Sequence, residues 1–181
     1  MYQGLRGILL KVQQEIRCNR KETYMSKIDY KSFKTLPDLL KAIREAEMYQ
    51  VTRKDGTSRQ PNLNECRKIV GELVPKEKYF QTKILNYLKT LPNAMFWKEQ
   101  SGFGYQVSGL PDICGIINGR FYGFEVKRPF IGKVSPIQRE RIEEIRKAGG
   151  VAEVVSYVEE VESIIKDEKL LDYALRARRM C

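Results

Sequence analysis

Two acidic residues and a lysine flank a tight turn in the second half of the chain. Asn118-Gly119 lies between two apolar runs, which is the strongest short-range signal for a β-hairpin with a two-residue turn. Counting outward from that turn places Asp112 directly opposite Glu125, with Cβ atoms about 4.5–5.5 Å apart. Lys127 is two residues after Glu125 and therefore projects from the same face of the hairpin.

Two carboxylates that face each other in apolar surroundings repel, and each resists transfer out of water. One of them must then be protonated, or a cation must lie between them. Oxygen ligands at this spacing suit Mg²⁺ or Mn²⁺, and the lysine adds a charge that orients or acidifies a water. A bulge at Gly115 or Gly123 would shift this register. The alternative is that the aspartate caps a strand end after Pro111 and the other two charges form a solvated stripe.

The residue types that are missing exclude several other chemistries. The chain has no histidine, which excludes Ser-His-Asp and Cys-His triads and histidine-ligated zinc. Its four cysteines match neither a zinc pattern nor a disulfide framework. Any catalysis must therefore use carboxylates, lysine, tyrosine or bound water.

Hydrophobic periodicity and capping signals predict the elements that carry the hairpin. The first part of the chain suggests helices at Leu5–Ile16, at Leu36 to about Glu47 with Thr35 as N-cap, and at 65–74. After Lys76 the predicted elements are a helix ending at Leu91-Pro92, a strand at Ala94–Lys98, the hairpin strands Asp112–Ile117 and Arg120–Lys127, a helix capped by Ser135 and closed by Gly149-Gly150, a strand at Val151–Val155, and a helix that begins at Ser156 with Glu159 and ends near Ile165. This is an α/β fold with the order αβββαβα.

The 181 residues suit one domain with an appendage, or two small domains. We predict a mostly helical N-terminal appendage at 1–75, which includes a polar linker at about 52–64 rich in turn formers. The αβββαβα core follows at 76–166, and a basic tail closes the chain at 167–181. The glycine-containing segment at 102–104 is either a mobile loop over a substrate or an ordinary turn.

Residues 77–162 resemble a known domain through five stretches that occur in the expected order: Gln81–Leu88, Gly109–Asp112, Gly123–Lys127, Ser135–Gln138 and Gly149–Val155. The domain is VRR-NUC, a branch of the PD-(D/E)XK nucleases, and the resemblance covers roughly half of the chain. It implies a restriction-endonuclease-like core and a divalent-metal phosphodiesterase that acts on DNA and leaves 5′-phosphate ends. Standalone relatives in phages and bacteria are similar to Holliday-junction resolvases and act as dimers, whereas larger relatives are structure-specific repair nucleases.

Carried over by position, the resemblance implies that Asp112 and Glu125 ligate the metal, assisted by the Val126 carbonyl. A metal held there polarises the scissile phosphate and lowers the pKa of its bound water. Lys127 would position the attacking water and steady the charge that develops on the phosphate oxygens. The expected cofactor is Mg²⁺ or Mn²⁺.

Two further residues match the family less simply. Gln138 corresponds to a glutamine near the active site, but Ser135-x-x-Gln138 is also a complete capping box for the helix that it begins. Glu77 fits a glutamate at the start of the first core helix, four residues before Gln81 on the same helical face. Many members carry a second glutamate where this chain has Tyr79, a departure that puts the assignment of Glu77 in question.

The N-terminal part shows a different resemblance. The stretch Leu10–Ala46 is similar to the opening of the ERF-like single-strand annealing proteins of phages, through LKVQQEI, Tyr30-Lys31 and a helix of the DLLKAI kind. The piece is shorter than that whole domain. The alternative is an independent helical appendage, and either would serve as a substrate or dimer contact.

The charge balance agrees with a polyanionic partner, since 33 basic residues exceed 23 acidic ones for a net charge of +10. We expect a structure-selective endonuclease on branched DNA, working as a homodimer in the cytoplasm of a bacterium or phage-infected host. A restriction-like or degradative nuclease, a non-catalytic DNA-binding module and a structural partner-binding protein are the alternatives. The sequence predicts neither a membrane span nor a secretory signal.

Overall fold

The computed structural model describes residues 28–99 and 108–179, with side chains described as far as Glu168. The helix expected at Leu5–Ile16, most of the ERF-like stretch before Tyr30 and the segment 102–104 lie outside these residues. Contacts divide the described residues into two compact units, one that ends at Val74 and one that begins at Pro75.

The first unit is built on two helices that pack together. Helix α1 (Leu36–Glu45) begins at Thr35, whose hydroxyl accepts a hydrogen bond from the Asp38 N–H as predicted. Helix α2 (Leu63–Leu73) begins at Asn62, which forms a reciprocal capping box with Glu65. Their apolar stripes supply the buried residues of the unit: Leu39, Ile43, Cys66 and Val70.

The polar stretch predicted as a linker at 52–64 instead holds a short hairpin. Strands β1 (Val51–Thr52) and β2 (Ser58–Arg59) pair antiparallel. Gly56 takes a φ of +84° at the turn, and the Asp55 carboxylate accepts a hydrogen bond of 2.9 Å from the Thr57 N–H. An Asp-Gly pair is a hairpin signal because glycine adopts positive φ without strain.

The second unit has the predicted αβββαβα order. Helix α3 (Glu77–Leu88) precedes strands β3 (Ala94–Lys98), β4 (Ile113–Ile117) and β5 (Arg120–Val126), and helix α4 (Pro136–Lys147) leads to strand β6 (Val151–Val155) and helix α5 (Val158–Arg179). The sheet order is β3-β4-β5-β6. Strands β3, β4 and β5 pair antiparallel, and β6 pairs with β5 in parallel. The sheet is therefore mixed, as the predicted fold requires.

The central hairpin keeps the predicted register along its whole length. Asn118 and Gly119 have φ values of 49° and 83°, the positive pair that a type I′ turn requires. Ile117 pairs with Arg120, and the ladder continues without a bulge to the last pair. Gly115 allows the close approach of β3, since a Cβ there would lie 2.5 Å from the Met95 carbonyl oxygen and would clash with the Phe96 ring.

Side chains that alternate with Asp112 and Glu125 along the strands form the core. Phe96 and Phe124 stack with ring centroids 6.3 Å apart, and Phe80 of α3 meets Tyr157 edge to face. The other buried side chains of this unit include Ile84, Leu88, Ile113, Ile117, Tyr122, Val126, Val155, Val161 and Ile165. The core thus fixes β4 and β5 rigidly beneath the charged residues on the opposite face.

The last helix differs from its prediction at both ends. The carboxylate of Glu160, rather than Glu159, accepts hydrogen bonds from the N–H groups of Ser156 and Tyr157. The helix also continues past Ile165 to Arg179, into the segment predicted as a basic tail. None of the helices within the described residues has the length and apolar character needed to cross a bilayer.

Candidate active site

Chemistry-bearing side chains gather at one end of the mixed sheet. Strand β5 ends there, strand β4 begins there, and helix α4 begins close enough for its first turn to contact β5. Helix α3 also begins near this end, because its first residue influences the titration of Glu125. The opposite end of the sheet carries the hairpin turn and an open cavity of about 500 Å³ lined by Asn118–Phe121 and Ala148–Gly150.

Asp112 lies one residue before β4 and continues the register of the hairpin. The last ladder pair is Ile113 with Phe124, so Asp112 is opposite Glu125 as predicted. One oxygen of Asp112, Oδ2, accepts a hydrogen bond of 2.9 Å from the N–H of Val126. The N–H and C=O of one strand residue point to the same edge, and we therefore expect the Val126 carbonyl oxygen on the Asp112 side as well.

Glu125 is fully buried, with 1% of its surface exposed. Its Oε1 lies 2.5 Å from Lys127 Nζ and accepts a hydrogen bond of 2.6 Å from Gln138 Nε2. Burial, helped by the neighbouring carboxylates of Asp112 and Glu77 and opposed by Lys127, raises its pKa to about 7. A carboxyl group with this pKa is poised between its two protonation states near neutral pH.

Lys127 extends from the residue after β5 and keeps 13% of its side chain exposed. Burial lowers its pKa, but the hydrogen bond to Glu125 and the charges of Glu125, Glu77 and Asp112 outweigh burial and leave the pKa above its usual range. The side chain is therefore a stable ammonium group at neutral pH. It presents a fixed positive charge beside two carboxylates.

Gln138 fulfils both roles that its sequence context allowed. Its Oε1 accepts a hydrogen bond of 2.8 Å from the Ser135 N–H, and its own N–H donates to Ser135 Oγ, which together form the predicted capping box. Its Nε2 donates to Glu125. One amide side chain thus begins helix α4 and holds the buried carboxylate in place.

Glu77 is the first residue of α3 and is partly exposed. Its charge raises the pKa values of both Glu125 and Lys127, so the structure brings it to the edge of the site. Tyr79, which stands where many relatives have a second glutamate, is 47% exposed. Its ring packs edge to face on Phe80 and lies 5.8 Å from Lys83 Nζ.

Two further residues lie beside this site, and the sequence analysis did not include them in it. Glu99 directly follows β3, and its N–H donates a hydrogen bond of 2.9 Å to the Asp112 carbonyl. Cys114 is buried two residues after Asp112. Burial, together with the charges of Glu99, Asp112 and Glu125, raises the pKa of its thiol to about 12. No turn signal joins β3 to β4, so the sequence offered no register count that would have placed Glu99 beside Asp112.

The donor set fits a hard divalent cation. Asp112 and Glu125 are carboxylates on one face, Val126 adds a backbone carbonyl at the same edge, and a buried carboxylate gains from a cation that offsets its desolvation. Among the side chains of residues 28–99 and 108–168, no three carboxylates or thiols converge closely enough to hold an ion by themselves. A cation here would therefore depend on backbone and water oxygens as well, which is the usual habit of Mg²⁺.

Two solved structures are similar to about half of this chain. One described as a VRR_NUC domain matches 50% of this chain and 94% of its own length at 26% identity and a TM-score of 0.42. The chain is similar to VRR-NUC domains. A second, described as a VRR_NUC domain protein, matches 51% of this chain and 87% of its own length at 22% identity and a TM-score of 0.41. Both TM-scores lie below 0.5, so the chemistry assigned to this site rests on its own residues.

The family named by both structures is the one that the sequence resembles. No family model matches the chain. No curated protein matches it either.

Proposed function

We propose that the chain is a divalent-metal-dependent DNA endonuclease whose site is built from Asp112, Glu125 and Lys127. The observation that carries the proposal is the fully buried Glu125, which lies opposite Asp112 in the hairpin register and 2.5 Å from Lys127 Nζ. Core positions rarely hold a carboxylate without a compensating charge. A site that concentrates two carboxylates and one ammonium group at an open sheet end is suited to bind a cation and a phosphate together.

We assign each residue of the site a role that is consistent with its contacts. Asp112 and Glu125 would hold Mg²⁺ or Mn²⁺ with the Val126 carbonyl. When bound, the cation supplies a Lewis acid for the scissile phosphate and a water of lowered pKa. Lys127 orients that water and stabilises negative charge on the phosphate oxygens. Gln138 fixes the Glu125 carboxylate, and Glu77 adds negative charge at the edge of the site.

Catalysis of this kind needs no histidine, which agrees with the composition of the chain. We propose branched DNA as the preferred substrate and a homodimer as the working form, within phage or bacterial recombination or repair. The net charge of +10 supports a polyanionic substrate. The second candidate function is a DNA-binding module without catalysis, which the basic charge alone would equally support.

The test is cleavage of three labelled DNAs, a four-way junction, a flap and a linear duplex, in Mg²⁺, Mn²⁺ or EDTA. We expect metal-dependent cutting, strongest on a branched substrate, that the variant Lys127→Ala loses by at least about 100-fold. Lys147→Ala, at the exposed far end of α4, is the matched control and should cut normally. Binding of all three DNAs without any cutting in either metal would exclude the nuclease and leave the binding module.

A further inference from the structure

Glu99 lies in a row with the two proposed metal ligands. Lys98 pairs with Ile113 in the antiparallel ladder of β3 and β4, so the next residues along, Glu99 and Asp112, are also opposite each other. Their backbones are joined by the hydrogen bond of 2.9 Å from the Glu99 N–H to the Asp112 carbonyl. Glu99, Asp112 and Glu125 therefore occupy equivalent positions on three neighbouring strands, each about 4.8 Å from the next.

The side chain of Glu99 points to the same face as the other two carboxylates. Trp97 Nε1 donates a hydrogen bond of 2.6 Å to Glu99 Oε1, and residues two apart on a strand share a face. Trp97 pairs with Cys114, which shares the face of Asp112 for the same reason. The effect of Glu99 on the Cys114 thiol agrees with this placement, because among the neighbouring charges Glu99 raises its pKa most.

The indole N–H occupies only one oxygen of Glu99. Within the described part of the chain, no hydrogen bond or ion pair engages its Oε2, although Lys98 is the adjacent residue. Three carboxylates on neighbouring strands repel one another unless a cation or protons intervene. The hydrogen bond from the tryptophan thus fixes Glu99 on the face that carries the other two carboxylates.

We propose that Glu99 is a third carboxylate of the cation site, held by Trp97 so that its Oε2 engages water bound to a cation at Asp112 and Glu125. This inference rests on the proposed function, because it deepens the same site. Glu99 is a positioning residue in this account, since it acts through water rather than as a direct ligand. That role agrees with its place one strand away from Asp112 and two strands away from Glu125. Mg²⁺ usually keeps several waters in protein sites, and such waters need acceptors.

Trp97 makes the inference directly testable, since it is the only tryptophan in the chain. Titration of the full chain with Mg²⁺, without DNA, should change Trp97 fluorescence in a saturable way. Glu99→Gln keeps an acceptor for the indole but removes the charge, and it should weaken Mg²⁺ affinity about 10-fold or more, the usual cost of losing such a partner. Glu72→Gln, at an exposed glutamate in the other unit, is the matched control and should bind Mg²⁺ normally.

A stability measurement separates positioning from a merely structural role. In EDTA, Glu99→Gln should unfold at the same or a higher denaturant concentration, because it relieves repulsion, whereas a structural residue would lose stability. Trp97→Phe, followed by calorimetry, should weaken Mg²⁺ affinity less than Glu99→Gln does. Wild-type affinity in Glu99→Gln, or weaker affinity together with lost stability in EDTA, would overturn the role of Glu99.

The same titration distinguishes this inference from the proposed function. Asp112→Asn should abolish Mg²⁺ binding if the cation site is correct. Mg²⁺ binding that Asp112→Asn loses and Glu99→Gln retains unchanged would overturn the role of Glu99 alone. An absence of Mg²⁺ binding in the wild-type chain would overturn both.

Discussion

Replacing Glu125 with glutamine should change how the stability of the metal-free protein depends on pH. Burial raises the pKa of Glu125 from its ordinary 4.5 to about 7 in the folded protein. A carboxyl group whose folded-state pKa lies above its unfolded value binds its proton more tightly when folded, so stability falls as pH rises from 4.5 to 7. The full shift corresponds to about 3 kcal/mol between pH 4 and pH 8.

Glutamine cannot ionise, so Glu125→Gln should lack this part of the pH dependence. Relative to the wild-type chain, the variant should gain about 3 kcal/mol in free energy of unfolding between pH 4 and pH 8, whatever its stability at pH 4. Changes in the contacts to Lys127 and Gln138 alter the free energy of unfolding equally at both pH values, so they cancel in that difference. The charges of Asp112 and Glu77, which also face Glu125, are common to both proteins.

Urea unfolding in EDTA, followed through Trp97 fluorescence, measures this difference for the unit that contains the site. The comparison needs only four unfolding curves, two proteins at two pH values. A difference between the proteins that stays within about 1 kcal/mol from pH 4 to pH 8 would refute the reasoning, because Glu125 would then titrate like an exposed carboxylate. Such a result would also remove the main reason for placing a cation at this site.

Three further predictions follow from single contacts. Gln138→Glu should preserve the start of α4, since a carboxylate still accepts from the Ser135 N–H. It should also raise the pKa of Glu125 further, so that the free energy of unfolding continues to fall to a higher pH than in the wild-type chain. Gln138→Ala should instead destabilise the helix by about 1 kcal/mol. As the pH rises toward 7, Mg²⁺ affinity measured by calorimetry should increase by up to about tenfold per pH unit, because the cation must displace the Glu125 proton. Above pH 7 the affinity should level off. Gly115→Ala should cost at least about 2 kcal/mol in urea unfolding, because the added methyl group would lie against the Met95 carbonyl and the Phe96 ring.

Local signals explain why so much of the site could be predicted from the sequence. The register of β4 and β5 is set by a two-residue turn, so counting from Asn118-Gly119 was enough to place Asp112 opposite Glu125. The start of α4 follows from Ser135 and Gln138, which lie three residues apart. In both cases the interacting residues are close in sequence, and the geometry of turns and helices leaves little freedom.

The predictions that failed depended on distant pairing or on weak stop signals. Glu99 is absent from the predicted site because the pairing of β3 with β4 spans a long connection without a turn signal, and only the fold sets that register. The hairpin at β1 and β2 was missed because its strands have two residues each, too short for alternation to be visible. Helix α5 continues past Ile165 because no glycine or proline interrupts it before Arg179.

Gln138 shows a different limit of sequence analysis. Its position supported two alternatives, a helix cap and an active-site residue, and these appeared to compete. The amide has an acceptor oxygen and a donor nitrogen, and the structure uses the oxygen for Ser135 and the nitrogen for Glu125. The choice between the two roles could not be made from spacing alone, since it depends on the distance between α4 and β5.

The central claim is that Asp112 and Glu125 hold a divalent cation with which the chain cuts DNA. The most direct measurement is the single-turnover cleavage rate of a labelled four-way junction in Mg²⁺, with DNA binding recorded in parallel, for the wild-type chain and for Asp112→Asn. We expect cutting by the wild-type chain that EDTA abolishes, and normal DNA binding with at least about 100-fold slower cutting by the variant. Equal cutting by both proteins, or cutting that persists in EDTA, would contradict it.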